Sequence, residues 1–79
     1  MRIRYTKHAL KRMQERGIAK RLVRHTIEDA DRRYRDKGLN VAERKLESGN
    51  ILRVYFKLDG EDVVVITTYR TRTWGRGGR

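Results

Sequence analysis

A turn dipeptide, Asp59-Gly60, stands between an alternating run, Ile51–Leu58, and a run that is β-branched almost throughout, Asp62–Tyr69. Asp-Gly flanked by such runs is the strongest short-range signal for a β-hairpin. Any fold for this chain must be built around that hairpin. Its register decides what each face carries, because a one-residue slip moves every side chain to the other side. A two- or four-residue loop puts Phe56 on the face of Val63 and Val65. A three-residue loop with a glycine bulge puts Val54 and Phe56 on the face of Val64 and Ile66. The bulged register is expected here. It gathers Leu52, Val54, Phe56, Leu58, Val64 and Ile66 on one side and leaves Arg53, Tyr55, Thr67 and Tyr69 on the other.

The first half of the chain supplies the cover. Arg2–Tyr5 alternates basic and apolar and predicts a short strand. Thr6 is a good N-cap for a helix through Arg16 with Ala9, Leu10 and Met13 inward. Gly17 fits a left-handed cap, with Ile18 as its apolar contact. A second helix is expected over about Lys20–Ala30, with Leu22, Val23, Thr26, Ile27 and Ala30 on its buried face. Ala19 leaves that helix without a capping side chain. Arg33–Arg35 reads as a short strand or a loop, Asp36-Lys37-Gly38 as a turn, and Val41–Glu47 as an edge or one-sided strand. The Ser48-Gly49-Asn50 turn leads into the hairpin. The order β-α-α-(β)-β-β-β predicts an α+β fold, two N-terminal helices on one face of a curved antiparallel sheet. One domain is expected over 1–70, with a flexible arginine–glycine tail over 71–79.

Charge narrows the function. Lysine and arginine number 21 against 10 acids in 79 residues, a formal net charge of +11. A core this small, under cationic self-repulsion, would be relieved by a homodimer or an acidic partner. There is no cysteine, so neither disulfides nor thiolate metal sites arise. The longest purely apolar run, Val63–Ile66, falls far short of the roughly 20 residues that span a bilayer. A soluble, cytoplasmic protein without membrane association is expected.

No Walker loop, nucleophile elbow or metal-ligand cluster occurs, and neither His8 nor His25 has a carboxylate at ligand-like spacing. The chemistry left to His, Lys, Arg, Tyr and Thr, without metal or cofactor, suits one reaction. RNA can be cut by its own 2′-hydroxyl attacking the adjacent phosphate. The protein then needs a base, an acid and cations for the charged transition state.

Thr6-Lys7-His8-Ala9, Arg12-Met13 and Glu15-Arg16-Gly17-Ile18, followed by an amphipathic helix, resemble the opening of a small bacterial and archaeal family of unknown function grouped with RelE/ParE-type toxins. Leu52-Arg53-Val54 and the closing Val63–Arg70 strand resemble it too. The likeness covers about Ile3 to Arg70. It implies a barnase–colicin–RelE type of fold, metal-independent ribonuclease activity, and a cognate antitoxin as partner. Ala19 departs from the pattern, where a capping hydroxyl is usual, and the arginine–glycine extension lies outside it.

Each candidate residue carries a functional and an ordinary reading. His8 would move a proton or meet a phosphate, or pack in the first helical turn. Tyr69 would move a proton and Thr67 would position, or both serve strand packing. Arg53 and Lys45 would hold the scissile phosphate, or Lys45 would pair with Glu43 or Glu47 on ordinary surface. Arg16 would position RNA, or cap carbonyls and pair with Glu15 or Asp29. Arg12 would position phosphates, and His25 is a solvated residue. Arg70, Arg72, Trp74, Arg76 and Arg79 would contact RNA by charge and stacking, or form a solubilising end. The leading expectation is a metal-independent endoribonuclease of toxin type acting on RNA, on the ribosome or free. The alternative is a non-catalytic basic module that binds nucleic acid or an antitoxin-like partner.

Overall fold

A computed structural model describes residues 1–75. The chain forms β1 (Arg2–Tyr5), α1 (Lys7–Arg16), α2 (Lys20–Glu28), β2 (Arg32–Asp36), β3 (Leu39–Lys45), β4 (Ile51–Asp59) and β5 (Asp62–Thr71). The strands make one sheet in the order β1-β5-β4-β3-β2. The α+β class and the two helices against the sheet are as expected. The sheet is mixed rather than wholly antiparallel, because β1 pairs parallel to β5 (Ile3 opposite Val63). The central hairpin leaves the outer edge of β5 open, and the strand that feeds α1 fills it.

The caps of α1 are set locally. The Thr6 hydroxyl accepts the Ala9 amide at 3.0 Å. At the other end Gly17 has φ +64°. Its amide reaches Gln14 O while the Ile18 amide reaches Met13 O, a Schellman closure that L side chains other than glycine resist. α2 begins at Ala19 without a side-chain cap and ends at Glu28, two residues short of the expected Ala30.

The segment expected as strand or loop around Arg33–Arg35 is β2. It hairpins into β3 through Lys37 and Gly38, both at positive φ, the pair of conformations a two-residue type I′ turn requires. β2 thereby makes β3 an interior strand, so the edge expected over Val41–Glu47 is corrected. Val41, Ala42 and Glu43 are buried.

The register of the β4–β5 hairpin differs from the expected one in an instructive way. The loop has two residues, with Asp59 opposite Asp62, so Phe56 lies opposite Val65 and Leu58 opposite Val63. The extra residue sits within β5 instead. Tyr55 pairs with Thr67 and Phe56 with Val65, which leaves Ile66 as a bulge. Val63 and Val65 therefore join the core in place of Val64 and Ile66. Beyond the bulge the alternation is restored, and Thr67 and Tyr69 share a face with Arg53 and Tyr55 after all. Leu58 is 65% exposed and Leu10 41%, so neither contributes the core contact expected of it. The core is completed by Ala9, Met13, Ile18, Val23 and Ile27 from the helical side against Ala42, Leu52, Val54 and Phe56 from the sheet.

Candidate functional site

The bulge is where helix and sheet are joined. The Thr6 amide donates to Val65 O at 3.1 Å, and the Thr6 hydroxyl donates to Ile66 O at 3.0 Å. One threonine thus caps α1 and ties its first turn to the displaced backbone of β5. β1 pairs with β5 only as far as Tyr5–Val65. Past that point α1 runs beside the second half of β5.

His8, Arg12 and Arg16 recur every fourth residue and so line one flank of α1. With Thr67, Tyr69 and Arg70 of β5 they enclose a cleft of about 380 Å³. Six of the residues singled out in the sequence meet here. Arg70 is partly committed: its guanidinium donates to Arg16 O at 3.2 Å and Gly17 O at 3.4 Å. A cation there satisfies orphan carbonyls and suits the negative end of the helix dipole. The free first-turn amides of α1 and their dipole favour an anion at the opposite end. The cleft is therefore lined by three cations, an imidazole and a phenol.

Tyr69 also looks the other way. Its hydroxyl donates to the Tyr55 hydroxyl at 3.3 Å, which donates to Asp36 Oδ2 at 3.3 Å. The two rings lie 5.9 Å apart. Burial, then the Tyr69 hydrogen bond, push the Tyr55 phenol well above the usual range. The Arg53 guanidinium lies 5.6 Å from the Tyr69 ring centre.

Arg53 is not the free phosphate ligand the sequence suggested. Its Nε donates to Glu43 Oε2 at 2.5 Å from the adjoining strand. Glu43 is wholly buried and the Arg53 side chain is 13% exposed. Burial opposes the charge on Arg53, but Glu43 and Tyr69 outweigh it and hold the guanidinium firmly protonated. Glu43 has no functional part in the sequence reading; its register opposite Arg53 becomes visible only once β3 and β4 are paired.

Lys45 lies apart from the cleft, at the end of β3 opposite Ile51. Its amide donates to Asp31 Oδ2 at 2.8 Å. With His25 and Arg44 it lines a separate hollow. Of the two ordinary pairings considered for Lys45, with Glu43 or with Glu47, the first meets a Glu43 that is buried and bonded to Arg53 instead. His25 is exposed in that same hollow, 3.7 Å from Asp29 one helical turn on, which corrects the expectation that no carboxylate stands at such spacing from it.

The tail is expected to begin at residue 71, and its residues 71–75 lie against the sheet. β5 includes Thr71, and the next residues return across the sheet. Arg53 Nη2 donates to Thr73 O at 3.0 Å, and the Gly75 amide donates to Glu43 Oε2 at 2.9 Å. The Arg32 guanidinium lies 4.6 Å from the Trp74 ring centre, a cation–π contact. A methyl group at Gly75 would overlap the Tyr34 hydroxyl, so any larger residue there would require the Tyr34 ring to move. Arg72 is exposed. Arg76 and Arg79, the remaining basic residues of the tail, lie outside the described residues.

A family model described as "Domain of unknown function (DUF4258)" matches residues 5–70. No curated protein and no solved structure matches the chain.

Proposed function

The chain belongs to this domain-of-unknown-function family, DUF4258, and we propose that it is a metal-independent endoribonuclease resembling RelE/ParE-type toxins. One observation carries the reading: a single cleft collects His8 and Tyr69 beside Arg12, Arg16 and Arg70. Proton-transfer groups and phosphate ligands are what RNA self-cleavage requires of a protein.

In this reading the scissile phosphate sits near the start of α1, held by first-turn amides and by Arg12, and Arg16, in the last turn of the helix, takes a neighbouring phosphate. His8 takes the proton of the ribose 2′-hydroxyl. That oxygen bonds to phosphorus, and the bond from phosphorus to the 5′-oxygen breaks. Tyr69 gives its proton to the departing 5′-oxygen. The products are a 2′,3′-cyclic phosphate and a free 5′-hydroxyl. Thr67 positions the sugar, and Arg53 acts indirectly by supporting the Tyr69 ring. The basic surface suits RNA and an acidic partner, an antitoxin in the toxin reading, in the cytoplasm.

A second reading is a binding module that does not cut. It is favoured by the withdrawal of Arg53 into an ion pair, which leaves the cleft one cation poorer. Incubation of the purified protein with RNA in excess chelator separates the two. Cyclic-phosphate ends, lost in His8→Ala and Tyr69→Phe, support the nuclease. Bound but uncut RNA supports the module.

A further inference from the structure

A second cleft lies on the same sheet face, across the Tyr55–Tyr69 pair from the first. We infer that it is a base-recognition subsite that takes guanine from the RNA. This rests on the proposal that RNA occupies the neighbouring cleft. Its volume is about 390 Å³ and its walls include Tyr34, Asp36, Arg53, Tyr55 and Trp74.

Three features argue for a nucleobase. First, the walls are aromatic and polar together. Single-stranded RNA is read by stacking on such rings and by hydrogen bonds to exposed base edges. Trp74 is held in place by Arg32 on its ring and by the tail's bonds to Arg53 and Glu43. Second, Asp36 presents a carboxylate to the cleft. Its Oδ2 accepts from Tyr55, which aims the group. Third, the two clefts are neighbours on one face: Tyr69 lines one, Tyr55 and Asp36 line the other, and the three side chains are hydrogen-bonded in series.

The carboxylate selects among bases. Guanine alone offers two adjacent donors on its Watson–Crick edge, N1–H and the exocyclic amine, which two carboxylate oxygens can accept together. Adenine and cytosine place a ring acceptor beside their single amine, and a carboxylate repels it. Uracil flanks its one N–H with two carbonyls. Tyr34 forms part of the cleft wall, its phenol raised to about 12 by burial and then by Glu43.

Trp74 is the sole tryptophan and reports directly on this cleft. The test titrates the full chain with guanosine, adenosine, cytidine and uridine 5′-monophosphates. Trp74 fluorescence is followed, with calorimetry as a second readout. Guanosine monophosphate should bind about tenfold or more tighter than the other three, and Asp36→Asn should remove that preference. Trp74→Ala should weaken all four in the calorimeter. Equal binding of the four nucleotides, or a guanine preference that survives Asp36→Asn, overturns the inference. His8→Ala separates it from the nuclease proposal. It should abolish cleavage and leave guanine preference intact. Cleavage without base preference defeats only the subsite, and guanine preference without cleavage defeats only the nuclease.

Discussion

Arg53 and Glu43 face each other across β4 and β3, and the Arg53 Nε–H donates to a carboxylate that is completely withdrawn from solvent. One oxygen, Oε2, receives both this bond and the Gly75 amide. The other, Oε1, is buried with no hydrogen-bond partner among the described residues. A buried charge is tolerated only while its partner is present. Arg53→Ala should therefore cost about 3–5 kcal/mol of folding stability, most of a small domain's margin. Glu43→Gln should cost less, since Arg53 keeps the Thr73 carbonyl and the Tyr69 ring. Urea unfolding of both variants gives the comparison. An Arg53 variant that fails to cut RNA is informative only when its stability has been measured alongside.

Thr6 makes four hydrogen bonds where α1 begins, two of them to β5. Thr6→Ala removes the two made by the hydroxyl and should cost about 1–2 kcal/mol. Thr6→Ser keeps the hydroxyl and should recover most of the loss. Thermal unfolding of the pair reads the difference. Cleavage should fall further in Thr6→Ala than in a substitution of equal cost on α2, because the junction places His8.

The hairpin, both helices and the α1 caps were legible because each rests on local chemistry: Asp59-Gly60, Thr6 and Gly17 act within their own turns. The open-face grouping of Arg53, Tyr55, Thr67 and Tyr69 was also legible, though by a different route from the one expected. The sequence places the extra residue in the loop. The structure places it at Ile66, where the Thr6 hydroxyl is available to take the freed carbonyl. That partner is 60 residues away in the chain. The commitment of Arg53 was hidden for the same reason. Glu43 looks like surface charge among Arg44 and Lys45 until β2 is added outside β3 and buries it. The stripe His8, Arg12, Arg16 was present in the spacing, but only the end of β5 turns it into one wall of a cleft.

Three tyrosines should resist ionisation. Burial raises Tyr5 and Tyr55, and burial with Glu43 raises Tyr34 from 10.0 to about 12. The folded chain then keeps protons that the unfolded chain loses. Stability from this source is complete below about pH 10 and falls as pH rises toward about 12. Urea midpoints across that range should decline, and tyrosinate absorbance should appear late in the folded protein. An alkaline titration that shows all the tyrosines ionising at the ordinary value contradicts it.

Binding of single-stranded RNA should weaken with salt, at a slope of about −0.7 per phosphate neutralised. Arg12→Ala and Arg16→Ala should each reduce the slope by roughly one phosphate's worth. Arg21→Ala, exposed on α2, should leave it unchanged. Affinity measured at several salt concentrations tests this, and a flat dependence in the parent chain removes the electrostatic basis of the proposal.

The central claim is that nucleic acid is held where α1 meets the end of β5. The chain has two histidines, one inside that cleft and one in the separate hollow beside Arg44 and Lys45. An NMR titration of their side-chain resonances with a short, uncleavable 2′-deoxy-substituted RNA locates the ligand directly. The account predicts progressive shifts at His8 with His25 unmoved. Shifts confined to His25, or equal at both, would contradict it.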